Sequence, residues 1–418
     1  MAYGDFAGDP DLMHAWEHFC DRLKAAGTRV FKDSNPPIAL QRVDGFRYLA
    51  QNLGQAYDLA LETKNTKYPA IHPFCTPARK LGSDNADCVY QQAWIDGEST
   101  YRIFGNRGQA RFFNIAVQGP RGLAAYGGNP KTILHEPFGD VPEANLFGQD
   151  MKVESDGSFE LFIGGEKRGP NWLPTTKGTR KLFFRQYFDS FDERSAEMRI
   201  ERLGMDAPRP MPSQTEMIEA MNWAADFVYN VVDFWPDWTW ANSDAVDPNA
   251  PNRFKGSIMP AHGKAATVPQ SDQKRGRVAA QMRWELMDDE ALILEWPNYE
   301  AFWMITNEGL FGNSMDFLYR PVSYTPSRTH VDKDGMVRFV MSGSDPGVSN
   351  WIDTQGFRTG ALSFRSVLSD HMPEFETRVV KTADVRRNLP KDTKIATRED
   401  RVAQLLQRFH AIQQRYRI

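Results

Sequence analysis

Val153 to Gly178 reads V-E-S-D-G-S-F-E-L-F-I-G-G-E-K-R-G-P-N-W-L-P-T-T-K-G, and Val331 to Gly356 reads V-D-K-D-G-M-V-R-F-V-M-S-G-S-D-P-G-V-S-N-W-I-D-T-Q-G. Asp156-Gly157 matches Asp334-Gly335 at an offset of 178 residues, and Asn171-Trp172 matches Asn350-Trp351 at an offset of 179. A slip of one residue is what an insertion in a loop produces. A copied unit copies its fold, so this self-similarity governs how the rest of the chain reads. Positions that differ between the copies are then the better candidates for chemistry.

Around each stretch, short apolar runs broken by turn residues predict strands: Val89 to Val117, then Lys181 to Tyr187 and Met198 to Leu203. Asp-Gly between such runs signals a two-residue hairpin. Aligning Trp94 with Trp296 sets Tyr101 on Trp303 and Ile103 on Ile305 without a gap. The second copy then begins near Ala291, and the first carries an insertion in the Gly/Pro-rich loop from Pro120 to Gln149. The expected fold is mainly β with peripheral α-helices: two related antiparallel β-sandwich units, jelly-roll-like, from an internal duplication. The expected divisions are a helical region 1–84, a first sandwich 85–210, a linker helix and Trp-rich loop 211–280, a second sandwich 281–390 and a C-terminal helix 391–418.

Helices flank this β framework. Asp9-Pro10 supplies an N-cap and first-turn proline, and Leu12, Trp16, Phe19 and Leu23 form an apolar stripe. A second helix runs from Pro37 to Thr63 with Phe46, Leu49, Leu53 and Ala60 on its expected buried face. Ser213 to Glu216 is a capping box before Ile218, Met221, Ala225, Val228 and Val232, with Pro236 as the expected stop. Thr397 caps the last helix, whose expected buried stripe is Val402, Leu405, Phe409, Ile412 and Tyr416.

Composition narrows the classes. A formal charge of -4 without a long basic run gives no reason to expect nucleic acid. No apolar run reaches the ~20 residues of a membrane helix, and no secretory leader is visible. Three cysteines, odd in number and without motif spacing, fit reduced thiols in the cytoplasm. The nucleotide-binding, nucleophile-elbow and zinc-protease signatures are missing, so no cofactor or metal is expected.

At N-W-L-P-T-T-K-G-T-R, D-P-G-V-S-N-W-I-D-T-Q-G and Y-R-I-F-G-N-R-G the chain resembles a bacterial family known as domain of unknown function twelve-fourteen. The resemblance covers 86–203 and 291–380. It implies a mostly β, sandwich-like fold and brings no activity or catalytic residues.

The candidate site residues come from differences between copies and from local concentrations. Where the first copy has Pro174 the second has Asp353, a carboxylate able to move a proton; its plainer role is to cap a turn. Arg185 and Arg365 on strands need an anionic partner, from the protein or from a substrate. Asp96, Glu98, Tyr101 and Arg102 crowd together; Asp96 could serve acid/base work or simply a turn, with Tyr101 expected to face away. Trp235, Trp238 and Trp240 would form either a lid over a ligand or a clasp between units, with His262 beside them in the linker. Asn350 and Trp351 line the turn next to Asp353, as a binding surface or as scaffold. The functional expectation is a cofactor-independent hydrolase or lyase acting on a small, partly apolar organic molecule. Asp353, His262 and Asp96 would do the proton chemistry, and Arg365, Arg185, Trp238, Trp240, Tyr101, Asn350 and Trp351 would hold the ligand. The alternatives are a non-catalytic binder of a sugar or hydrophobe, and a structural protein that builds a homo-oligomer.

Overall fold

The computed structural model describes residues 10–120, 140–243, 251–259, 277–298, 300–367, 369 and 372–418. The first unit contributes β1 (His72–Cys75), β2 (Cys88–Trp94), β3 (Tyr101–Asn106), β4 (Phe112–Gly119), β5 (Val141–Phe147), β6 (Ser158–Ile163), β7 (Trp172–Leu173), β8 (Lys181–Tyr187) and β9 (Glu197–Arg202). The second contributes β10 (Lys255–Met259), β11 (Arg277–Glu285), β12 (Glu290–Pro297), β13 (Phe302–Glu308), β14 (Ser323–Tyr324), β15 (Met336–Ser342), β16 (Trp351–Asp353), β17 (Thr359–Val367) and β18 (Glu376–Lys381). The first unit pairs its strands as β1-β2-β8-β4-β5 and β7-β6-β3-β9. The second pairs them as β10-β11-β17-β13-β14 and β16-β15-β12-β18, the same order strand for strand. The duplication is real.

The expected frame of the duplication is one strand off. Trp94 closes β2, which pairs with β1 and β8, whereas Trp296 lies in β12, which pairs with β15 and β18. The counterpart of β2 is β11, with Trp284 near its end, so the second copy starts a strand earlier than Ala291. Consecutive strands share the same two-residue alternation, and a one-strand shift therefore aligns them about as well as the correct frame. Part of the expected insertion is strand β5; 121–139 lie outside the described residues.

The hairpin turns also differ from expectation. Glu154 N donates to Ser158 O and Gly157 N to Glu154 O, and the same bonds recur at Asp332, Met336 and Gly335. This is a three-residue loop closed by a left-handed glycine, Gly157 at φ +85° and Gly335 at φ +80°.

Each sandwich closes its own core. Tyr101, Ile103, Leu161 and Ile163 face Ile115, Val117, Leu182 and Phe184 in the first. In the second, Leu292, Leu294, Val337 and Phe339 face Met282, Trp284, Leu362 and Phe364. A third core lies between the outer faces of the five-stranded sheets and three helices, α1 (Pro10–Arg29), α2 (Ala39–Tyr57) and α3 (Gln214–Ser243). It joins Phe74, Tyr90 and Tyr187 of the first unit to Met304 of the second and to Phe19, Tyr48, Phe227 and Trp235.

The helices occupy the expected segments, and α3 buries its expected stripe of Met221, Ala225, Val228 and Val232, but the other helices bury faces that differ in part from expectation. In α1 Phe19 is buried and Trp16 is exposed. In α2 the inward residues are Gln41, Gly45, Tyr48, Asn52, Gln55 and Ala56, while Phe46 faces out. Carbonyl partners hold that polar face inward: Gln41 donates to Thr359 O, and Asn52 to Tyr48 O and Lys80 O. Helix α3 runs straight through Pro236 to Ser243 instead of stopping. The C-terminal helix α4 (Arg398–Tyr416) has the expected capping box, but it buries Arg401, Arg408 and Arg415 beside Ala411 and Ile412 and exposes Val402.

Candidate functional site

Between β1 and β2 the chain runs Lys80-Leu81-Gly82-Ser83-Asp84-Asn85 and docks against the loop that follows β13 in the second unit. Gly82 and Ser83 both take left-handed backbone, at φ +74° and +54°. For serine that conformation costs on the order of 1 kcal/mol, and it persists only where surrounding contacts over-determine it. Those contacts are present. Ser83 N donates to Gly312 O at 2.7 Å, and Ser83 Oγ donates to Glu308 Oε2 at 2.6 Å.

The turn delivers three charged or polar side chains into the second unit. Lys80, only 3% exposed, donates from Nζ to Ser314 Oγ at 2.8 Å, and its ammonium lies 3.5 Å from the Phe317 ring centroid. Ser314 in turn donates from Oγ to Asp84 Oδ2 at 2.6 Å and from its backbone N to Asp84 Oδ1 at 2.9 Å. Burial pulls the Lys80 amine down from 10.5 to about 8, against the attraction of Asp84 and Asp316.

A cavity of about 270 Å3 opens over this group, between α2 and the second sandwich. Its lining includes Asp44, Arg47, Lys80, Asn313, Ser314 and Arg320. Burial raises the Asp44 carboxyl, although Asn313 donates to its Oδ2 at 3.1 Å. The Oδ1 atom of Asn313, itself buried, has no hydrogen-bond partner among the described residues. Gln355, at φ +57°, also lines the cavity, so two of the left-handed non-glycine residues flank this one place. The volume, about nine water molecules' share of liquid, suits a small metabolite.

Asp353 belongs to the surroundings of this cavity. It is 1% exposed, pairs through Oδ2 with Arg320 Nη1 at 2.7 Å, and accepts from Gln355 N at 2.7 Å. Its carboxylate orients two lining residues and does not itself line the cavity. Arg365, expected as a ligand clamp, is instead a half-buried structural cation, donating to Ser83 O and Oγ at 2.7 Å and to Glu308 Oε1 at 3.3 Å. Burial raises the Glu308 carboxyl in spite of Arg365.

The remaining expected residues lie elsewhere. Asn350 and Trp351 are scaffold. Asn350 Nδ2 donates to His330 O and Arg338 O while its Oδ1 accepts from His330 N, and Trp351 Nε1 donates to Ser342 O. Asn171 and Trp172 repeat these bonds with Lys152, Glu160 and Gly164. Arg185 lies over the Phe183 ring at 4.1 Å and bonds Asn114. Asp189, just past the end of the same strand, accepts from Ser327 and Arg328 of the second unit.

Asp96 forms a turn, and Tyr101 bends back to it instead of facing away, with Oη 3.1 Å from Asp96 Oδ2. Burial pushes the Asp96 carboxyl up, but bonds from Ser99, Tyr101 and backbone N–H groups outweigh it and hold the pKa below the usual carboxylate range. That is the opposite of what a protonated general acid needs. Trp238 and Trp240 stand on α3. Trp238 packs edge-on to Trp235, and Trp240 donates to Ser34 O and carries Arg283 over its ring. Trp240 thereby ties α3 to the chain after α1 and to β11. His262 lies outside the described residues.

Sequence reasoning missed Lys80, Asp84 and Ser314. The only local signal was the run Gly82-Ser83-Asp84-Asn85, which reads as a turn.

Residues 90–189 match the model of a family described as a protein of unknown function, DUF1214. No curated protein matches the chain. The crystal structure of a putative uncharacterized protein from Burkholderia cenocepacia is similar, with 25% identity and a TM-score of 0.75 over 89% of this chain and 98% of that one. The likeness therefore takes in both units and the helices between them. The VPA0106 protein from Vibrio parahaemolyticus aligns over 86% of this chain and all of its own at 13% identity, with a TM-score of 0.43. The stretch from β2 through β8 is thus a DUF1214 match, the family that the Asn-Trp turns resemble.

Proposed function

We propose that the cavity over Lys80 binds a small organic molecule bearing an anionic or carbonyl oxygen and performs acid/base chemistry on it, as a hydrolase or lyase. Lys80 carries this reading: a buried amine at a cavity wall, fixed by Ser314, with its pKa lowered to about 8. Near that pH the amine exists both with and without its proton, as a group that shuttles protons must. The neutral form takes a proton from the substrate or from an attacking water, and the ammonium returns it to the leaving group. Asp44, its carboxyl raised by burial, lines the same cavity. Arg47 and Arg320 at the rim hold the anionic oxygen, with Asp353 setting the direction of Arg320. Three free cysteines, two of them buried, support a cytoplasmic setting.

The test is a panel of small esters, amides and hydroxy acids, assayed with the wild type and with Lys80→Met and Asp353→Asn. Lys80→Met should lose turnover by about 100-fold or more with its fold intact by circular dichroism, and Asp353→Asn should chiefly raise KM. Turnover by Lys80→Met at the wild-type rate would remove Lys80 from the chemistry. Ligand binding without turnover by any variant would favour a binding protein.

A further inference from the structure

One side of the cavity over Lys80 is a single stripe of α2: Leu40, Val43, Asp44, Arg47 and Gln51, at i, i+3, i+4, i+7 and i+11. The stripe changes character along its length. Leu40 and Val43 are aliphatic yet 37% and 64% exposed, and half-buried Phe357 joins them from the loop where Gly356 meets Leu40. One turn on, Asp44 is half-buried and keeps accessible surface. Asn313 uses its Oδ2, and its Oδ1 has no hydrogen-bond partner among the described residues. After a further turn comes Arg47, exposed, its guanidinium without an ion pair or hydrogen bond among those residues. It acts on Asp44 through space, with no ion pair between them. The other charges at the cavity already have partners. Asp316 Oδ1 accepts from Leu318 N and Tyr319 N at 3.1 and 3.3 Å, Arg320 pairs with Asp353, and Lys80 donates to Ser314 with Asp84 behind it.

We propose that this stripe reads a zwitterion: an α-amino acid with an apolar side chain, its ammonium on Asp44, its carboxylate on Arg47 and its side chain over Val43 and Leu40. An α-amino acid carries those three groups on one carbon, and successive turns of α2 offer their complements in one row, roughly 10 Å from Leu40 to Arg47. Opposite charges one turn apart set a simple anion against Asp44 and a simple cation against Arg47, whereas a zwitterion satisfies both. Burial holds the Asp44 carboxyl above its usual range, the mark of a carboxylate short of positive partners, and a ligand ammonium supplies one. The exposed aliphatic pair gains from being covered by a side chain of similar size. This inference rests on the reading of the Lys80 cavity as the substrate site and narrows the substrate class.

Isothermal titration with leucine and methionine tests this, beside three probes that each lack one group: N-acetylleucine without the ammonium, isopentylamine without the carboxylate and glycine without the side chain. The two amino acids should bind saturably, and each probe should bind at least about tenfold more weakly. Asp44→Asn should weaken leucine by about tenfold and erase its advantage over N-acetylleucine. Arg47→Gln should weaken it as much and erase its advantage over isopentylamine. Melting temperatures equal to the wild type establish that both variants are folded. Leucine binding unchanged in both variants, or N-acetylleucine binding as tightly as leucine, overturns the proposal. Failure of leucine and methionine to bind a protein whose turnover depends on Lys80 overturns it too and leaves the chemistry standing. Leucine binding that follows the two variants supports it even where Lys80→Met keeps its turnover.

Discussion

At the residue scale, what separates scaffold from chemistry is whether a polar group has all its partners. Asn171 and Asn350 make the same three backbone bonds in the two units, so the side chain is fully used in holding a turn. Lys80 is different: burial costs its charge more than its neighbours return. The folded protein therefore holds the Lys80 proton less tightly than the unfolded chain does. Below pH 8 both states carry the proton and the cost is fully present. Between about 8 and 10.5 only the unfolded chain keeps it, so rising pH favours the fold. The unfolding free energy of the wild type, measured against Lys80→Met by urea titration, should therefore climb by roughly 3 kcal/mol across that window. A flat difference would mean that Lys80 titrates normally.

At the element scale, neighbours decide where helices run and which face they bury. Helix α3 passes Pro236 because α1 and the turn after it hold the far side. Arg29 and Lys32 bond Asp233, Lys32 also bonds the Asp233 carbonyl and Asp237, and Trp240 reaches Ser34 O. Pro236 leaves the Val232 carbonyl without its helical donor, and the Lys32 ammonium adds a bond to the neighbouring carbonyl of Asp233. Arg22 with Asp226 and Arg29 with Asp233 repeat at seven residues on both helices, so α1 and α3 run in the same direction. Helix α4 starts where expected because its start signal is local. Thr397 Oγ1 accepts from Asp400 N at 3.1 Å, and Asp400 Oδ2 accepts from Thr397 N at 2.9 Å. Thr397→Ala should cost about 1 kcal/mol by thermal or urea unfolding. A null effect would show that burial of the arginine face alone fixes the helix.

At the scale of the whole molecule, the two sandwiches are joined through charge as well as through the central apolar core. Arg328 of the second unit and Arg415 of α4 converge on Asp87 of the first, at 2.6 and 3.7 Å, with Arg408 close by on Ser323. All four are nearly shut off from solvent. Burial brings Arg408 and Arg415 down to about 10, and although burial alone would raise the Asp87 carboxyl, the three arginines hold it below its usual range. Asp87→Asn would leave those cations uncompensated and should destabilise the protein by roughly 3–5 kcal/mol, read from chemical denaturation. A change under about 1 kcal/mol would mean that the arginines are satisfied by carbonyls such as Ser190 O and Ser323 O.

The amino-acid sequence by itself determined the duplication, the Asn-Trp and Asp-Gly turns, the strand-rich units and the helix starts. The Asp-Gly turns and the helix starts rest on groups within a few residues of one another, such as Gly157 with Glu154 and Thr397 with Asp400. The frame of the duplication, the polar faces that α2 and α4 bury and the candidate site were decided only by tertiary structure. Lys80 meets Ser314 across 234 positions, and Asp87 meets Arg415 from the opposite end of the chain. No local pattern distinguishes a lysine that will be buried from one that will be solvated, because desolvation arises only when distant elements close around it.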